Sequence, residues 1–174
     1  MCSSDLGVFV RPGIPELIQS RAVPAADILT PNQFELQHLT GLPCATLADA
    51  RQAVAALRAR MAPSGPRVVL VTSLHTDATP PDMVEMLAAS DDGLALLRTP
   101  LLPLSVNGAG DAMAALFLFH FRRTGQAAAA LEAAGSAIHG LLRRTAEAGS
   151  PEILLVAAQD EFITPSQWFR SQPI

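Results

Sequence analysis

The stretch Asn107-Gly108-Ala109-Gly110-Asp111-Ala112 decides how the rest of the chain is read. It joins a loop broken by Pro100 and Pro103 to the run 112–121, which is apolar on nearly every side and so predicts a buried helix opening at the turn. Gly108 and Gly110 can take backbone angles closed to other residues, which lets the amides of the turn and of the first helical turn converge on one concavity. Such amides have no partner within the helix, and with the helix dipole they favour an anion such as a transferring phosphoryl group. Asp111, held beside that anion, is placed to take a proton from an attacking hydroxyl. The same six residues also fit a plain turn with Asp111 as cap, because aspartate is a common capping residue. A lone glycine motif leaves both readings open.

Outward from the turn, the upstream half alternates strand and helix. Val8 to Val10 reads as a short extended piece ended by Arg11-Pro12-Gly13, and Pro15 to Ala22 as a short helix. Asp27-Ile28-Leu29 is a brief strand stopped at Thr30-Pro31, since the residue before a proline is pushed away from helix. Asn32 then caps a helix through Thr40, closed by Gly41 and Pro43. That order puts Asn32 and Glu35 at the carboxyl end of a strand, where open α/β sheets bind ligands, and where the pair could hold hydrated magnesium. Equally, Glu35 three residues after Asn32 is the spacing of a capping box.

Residues 47–60 carry Ala50, Ala53, Val54 and Leu57 at helical spacing. Val68-Val69-Leu70-Val71-Thr72 is a β-branched run of the kind buried on both faces of a parallel sheet. Helix between two such strands predicts a right-handed βαβ unit. Thr72 and Ser73 fall at the carboxyl end of that strand and are nucleotide contacts by position. His75, in a polar loop, reads as solvated. An Asp-Gly turn between the apolar runs 83–89 and 94–99 predicts a hairpin. The apolar loop from Pro100 to Leu104 fits either a wall for a flat adenine ring or ordinary core. Past the glycine-led helix, Leu131, Ala134, Ile138, Leu141 and Leu142 mark a second covering helix over 126–147, beside which His139, like His120 and His38, reads as structural. Residues 152–157 predict a last strand, and the Trp168 tail a lid on the core.

Composition limits the function classes. Of 174 residues, 49% are hydrophobic and 16% charged, against about 25% charged in an ordinary soluble domain. Some apolar faces are therefore expected to need covering. A net charge of -4 with no basic cluster argues against nucleic acid as partner. No apolar run is long enough to span a membrane, which makes a cytoplasmic address the default. Cys2 and Cys44 form no spaced pair. Residues 1–6, Met-Cys-Ser-Ser-Asp-Leu, match the tail of a common sequencing adaptor when back-translated. They are expected to be a non-native leader, with the natural chain continuing upstream and residues 7–174 forming the native part.

Taken together, the motifs resemble the ribokinase-like kinases, and within them pyridoxal kinase. Asn32 and Glu35 after a strand, the buried Val-Leu-Val-Thr strand, and Gly-Ala-Gly-Asp opening a helix recur in that order. The wording "ADILTPNQFEL", "LLPLSVNGAGDAMAALF" and "LLVAAQDEFITPSQWF" is similar to the C-terminal half of pyridoxal kinases. The resemblance implies a three-layer α/β/α fold with a mostly parallel central sheet, truncated at the N-terminus, and residues 7–174 as its ATP-binding part. It implies ATP-dependent phosphorylation of the 5'-hydroxyl of pyridoxal. Asp111 would be the general base and also touch the substrate, with Gly108, Ala109 and Gly110 as the anion hole. Thr30, Thr72, Thr99, Pro100, Leu101 and Leu102 would line the ATP site, and Asn32 with Glu35 would act on magnesium through water. A monovalent cation requirement is left open, and the full-length family is expected to be a homodimer.

The resemblance also implies gaps. The family's N-terminal half, with most of the vitamin pocket, several central strands and much of the dimer contact, has no counterpart here, nor does an acidic metal-linked motif expected just before Gly7. Some members carry lysine where this chain has Thr72. A sheet edge and apolar faces should therefore lie exposed. Hydroxymethylpyrimidine phosphate kinase is the sister reading, although its glycine turn typically leads to cysteine where Asp111 stands. A non-catalytic nucleotide-binding fragment is the other.

Overall fold

In the computed structural model, which describes residue 11 and residues 13–174, a sheet is covered by helices on both faces. The expected extended piece at 8–10 and the leader at 1–6 lie outside the described residues. The five strands are β1 (Ile28–Leu29), β2 (Val68–Leu74), β3 (Met83–Ser90), β4 (Gly93–Pro100) and β5 (Gln172–Pro173), in the spatial order β1-β2-β3-β4-β5.

The stretch before β1 runs as α1 (Ile14–Leu17), a π turn (Ile18–Ala22) and α2 (Val23–Ala25). The π turn falls just ahead of Pro24, whose missing N–H interrupts a regular ladder. Between β1 and β2 lie α3 (Gln33–Thr40) and α4 (Leu47–Arg58). Each opens with a capping box, Asn32 with Glu35 and Thr46 with Asp49. Gly41 ends α3 with φ of 71°, the left-handed value that glycine adopts at little cost. This crossover makes β1 and β2 parallel, pairing Ile28 with Val68 and Leu29 with Val69.

The β3–β4 hairpin turns through Asp91 and Asp92, and Asp91 receives Arg58 at 2.6 Å and Arg67 at 3.4 Å. The tight turn makes β3 and β4 antiparallel neighbours, and β2–β3 and β4–β5, joined by longer connections, also pair antiparallel. The described sheet thus carries less parallel pairing than the sequence suggests. Parallel contacts are confined to β1–β2 and an isolated bridge between Asn32 and Thr72. The α/β class and the three layers stand.

Alternation along the strands fills two cores. Val68 and Leu70 of β2, with Met86, Ala88, Ala95 and Leu97, pack on α5 (Ala109–Thr124) and α6 (Ala127–Glu147). On the opposite face, Val69, Val71, Leu74, Leu87, Ala89 and Leu96 pack on Leu36 of α3 and on Ala50, Ala53, Val54 and Leu57 of α4. Residues 68 to 71 are fully buried, as the β-branched run predicts.

Three expectations fail in detail. First, α5 is not a buried helix: Met113 and Phe117 face the core, while Leu118 and Phe119 are 47% and 53% exposed. Second, no strand forms at 152–157. Leu154 N–H donates to Thr145 Oγ1, Leu155 N–H to the Ile153 carbonyl and Ala158 N–H to the Leu154 carbonyl, which satisfies that backbone locally. The last strand is instead β5, beside β4. Third, the C-terminal tail packs back on the core as expected, but through Phe169 and not through Trp168. Trp168 stays 47% exposed under the Arg170 guanidinium, and Phe169 turns inward, its N–H donating to Ser136 Oγ at 2.9 Å.

Candidate functional site

The site begins with an irregularity in β2. Its pairing with β3 runs Val71 to Leu87 and then Leu74 to Glu85, so one extra residue is accommodated at Thr72-Ser73. Ser73 takes φ of 51°, in the left-handed region that residues with a side chain rarely enter. The bulge returns Leu74 to the core beneath α4 while both Thr72 and Ser73 line a cavity on the other side of the sheet. Because β3 and β4 are antiparallel, the start of β3 and the end of β4 meet at the same edge. They contribute Val84 and Met86, and Thr99 and Pro100.

The cavity holds about 180 Å³. Leu101, Leu102, Leu104 and Val106 form one wall, Ala109, Gly110 and Met113 of α5 a second, and Ile138, His139 and Leu142 of α6 the floor. The lining is apolar with a few hydroxyls at the sheet end, the composition of a site for a flat, partly polar ligand. His139 is 5% exposed and its ring meets Phe169 edge-on with centroids 4.8 Å apart. Neither of its ring nitrogens has a partner among the described residues. Burial, and then the nearby Arg143 charge, push its pKa below the usual histidine value, against an opposing pull from Glu161.

At the cavity's α5 wall stands the glycine turn. Gly108 is the N-cap of α5 with φ of 86°, and no side chain caps the helix. The amides that follow therefore point out of the helix mouth without a capping acceptor. Gly110 differs from the expectation: it lies inside α5 and is not among the residues with positive φ. A Cβ built on it would meet nothing within 4 Å. Packing therefore does not require glycine at 110, an exposed position that also belongs to the cavity lining. Asp111 is exposed in the first turn of α5 and is not part of the cavity lining.

Asn32 and Glu35 form the capping box that the spacing allowed. Asn32 N–H donates to Glu35 Oε2 and Glu35 N–H to Asn32 Oδ1, both at 2.9 Å. Neither lines the cavity, nor does the half-buried Thr30. The bridge between Asn32 and Thr72 nevertheless sets the mouth of α3 beside the bulge, and Thr72 N–H donates to the Pro31 carbonyl at 3.0 Å. Among the described residues, no group of three or more His, Cys, Asp or Glu could hold a metal ion, and no helix is long and apolar enough to cross a membrane.

The sequence model of the phosphomethylpyrimidine kinase family matches residues 1–154. The chain belongs to that family. Pyridoxal kinase PdxY of Granulibacter bethesdensis is 62% identical over 166 residues, covering 95% of this chain and 58% of that protein. Pyridoxal kinase PdxY of Deinococcus radiodurans is 52% identical over 170 residues, covering 97% and 57%. The chain thus spans somewhat over half the length of the curated relatives it matches. Among solved structures, the Leishmania donovani pyridoxal kinase in complex with ADP gives a TM-score of 0.79 at 22% identity, over 92% of this chain and 55% of that one. Plasmodium falciparum PdxK with AMP-PNP and PL gives 0.81 at 16% identity, over 96% and 56%. These likenesses establish the ribokinase-like α/β fold.

For this member of the phosphomethylpyrimidine kinase family, the structure brings Thr72, Thr99, Pro100, Leu101, Leu102, Ala109 and Gly110 around one cavity. It sets Gly108 and Asp111 on the same helix mouth, and Thr30, Asn32 and Glu35 next to the bulge outside the lining. Sequence reading assigned Ile138, Leu142 and Met113 to the core and His139 to a structural role. Apolar periodicity marks a buried face without telling a packed neighbour from a cavity. The one signal available was His139 on that apolar face.

Proposed function

We propose that this chain is the ATP-binding part of a pyridoxal kinase, which phosphorylates the 5'-hydroxyl of pyridoxal. The observation that carries the reading is the cavity at the β2 bulge, opening beside an uncapped helix mouth, in a chain 62% identical to a pyridoxal kinase PdxY. An apolar slot for a ring next to unpartnered amides for an anion is the layout a nucleoside phosphate requires. Thr99 to Leu102 flank the base, Thr72 and Thr30 stand at the sheet end, and residues 108–110 receive the γ-phosphate. Asp111 accepts the hydroxyl proton, so that transfer proceeds by positioning and charge stabilisation.

Magnesium fits this arrangement as an ion held chiefly by the nucleotide's phosphates, neutralising their charge when bound. The exposed Glu35, with one oxygen engaged by the Asn32 amide, is suited to its water shell rather than to direct ligation. Residues 7–174 are read as the C-terminal part of an enzyme that acts whole as a cytoplasmic homodimer. The family's name, phosphomethylpyrimidine kinase, supports a second reading with hydroxymethylpyrimidine phosphate as acceptor.

The test is calorimetric titration of the purified chain with ATP, followed by phosphorylation assays with pyridoxal and with hydroxymethylpyrimidine phosphate. Each assay is run alone and with the remaining portion of a homologous pyridoxal kinase supplied. ATP binding with transfer to pyridoxal supports the proposal, and transfer only to the pyrimidine favours the second reading. Absence of ATP binding overturns both.

A further inference from the structure

The glycine turn is supported from outside its own helix. A Cβ placed on Gly108 would lie 3.2 Å from Ile153 Cδ1 and 3.9 Å from Ile153 Cγ1, the sole atoms within 4 Å. At Gly110 nothing lies within that distance. An isoleucine thus stands against Gly108, while Gly110 is free of protein neighbours at its side-chain position and belongs to the cavity lining.

Ile153 is itself fixed. Leu154 N–H donates to Thr145 Oγ1 at 3.2 Å, and Thr145, fully buried in α6, donates to the Leu141 carbonyl at 2.8 Å. One residue earlier on the same helix, Arg144 donates to the Ala157 carbonyl at 3.0 Å and pairs with Asp160. These ties hold the segment after α6 while its isoleucine reaches across to the mouth of α5. With no side-chain cap on α5, the direction of its first amides depends on the conformation of Gly108, and Ile153 occupies the space beside that residue where a side chain would stand.

We infer that Ile153 is a positioning residue for the anion-binding turn: it holds Gly108 so that the amides of residues 109–111 stay aimed at a phosphate. The inference rests on the nucleotide reading of the site and adds a residue to it. Because the turn meets the phosphates and not the base, loosening it should weaken a nucleotide without weakening a nucleoside.

The experiment titrates ATP and adenosine separately into the full chain and into Ile153→Ala and Ile153→Val, with the thermal midpoint of each recorded. Ile153→Ala is expected to weaken ATP about fivefold, equivalent to about 1 kcal/mol, and to leave adenosine within about twofold on the same scale. Ile153→Val, which deletes the Cδ1 nearest Gly108 and keeps Cγ1, is expected to lose ATP affinity by an intermediate amount with adenosine unaffected, and carries the test if the alanine variant fails to fold. Equal losses for the two ligands, or no loss for either, overturn the inference while leaving the nucleotide site intact. If the unsubstituted chain binds neither ligand, or binds both alike, the nucleotide reading or its anion-binding turn is what fails, and the role of Ile153 falls with it.

Discussion

Gly110 and Asp111 are neighbours on the first turn of α5 and sit in different surroundings, one in the cavity lining and one outside it. Gly110 lines the cavity and a Cβ on it would meet no protein atom within 4 Å, so Gly110→Val should leave the thermal midpoint within a few degrees yet abolish most ATP affinity by crowding the slot. Calorimetry beside a melting curve checks both halves. Asp111, exposed and outside the lining, predicts the converse. In whichever form of the protein phosphorylates pyridoxal, Asp111→Asn should lower kcat by about 10²- to 10⁴-fold, the usual worth of a positioned base, with ATP affinity nearly unchanged. Unaltered turnover would remove Asp111 from the mechanism. His139 gives a third expectation. Its folded-state pKa lies below its unfolded value of about 6.5, so below that pH the unfolded chain takes up a proton that the fold refuses. Stability is therefore retained above about pH 6.5 and lost as pH falls toward the depressed value. His120, lowered by burial and by Arg123, acts in the same direction. Thermal midpoints at pH 7.5 and 5.5, chosen about one unit either side of that value, should show a smaller drop in His139→Phe than in the unsubstituted chain. The glycine turn that opens α5 was legible because rare residue types stood together. The role of His139 in the floor was hidden because periodicity reports burial and not what lies beyond the buried face.

Elements with a local chemical signature were read correctly. Asn32 three residues before Glu35 gave the start of α3, the β-branched run gave β2, and Asp-Gly between two apolar runs gave the β3–β4 hairpin. Segment 152–157 was misread because Ile-Leu-Leu-Val has strand composition, whereas its backbone is satisfied by Thr145 of α6 and by its own turns. That competition is tertiary and leaves no trace in a local window. The Ser73 bulge was likewise invisible, since serine does not announce a left-handed backbone. At this scale, Asn32→Ala should remove one side of the α3 capping box and cost about 1 kcal/mol of stability, read from the shift in urea midpoint. A destabilisation indistinguishable from zero would show that the box contributes nothing net.

Across the whole molecule, the thin supply of charge has a visible counterpart. Leu17 on the first helix, Leu118 and Phe119 on α5, and Val156 and Ile163 beyond α6 are all at least 47% exposed, and Val156 and Ile163 reach 80% and 87%. Leu118 and Phe119 are adjacent on one helix and form a natural adhesive spot. Replacing both with glutamine should reduce self-association at micromolar concentration, as followed by sedimentation velocity, without lowering the thermal midpoint. An unchanged sedimentation profile would mean that association, if present, uses another surface. Apolar excess was legible in the composition, but where it would surface depended on how α5 rotates against the sheet.

One helix also fixes how deep a guest can sink. In α6, a methyl group on Gly135 would strike Leu97 Cδ2 at 2.3 Å and one on Gly140 would strike Glu161 Oε2 at 2.1 Å. Ile138 and His139 lie between these two notches. Sliding the rod along its axis by a single residue would bring a bulkier side chain against Leu97 or Glu161, so the helix is keyed to the sheet like a tumbler pin. Accommodation of a larger or smaller guest must then come from the loop 100–104, whose hold on the sheet includes the Leu101 amide donating to the Asp82 carbonyl.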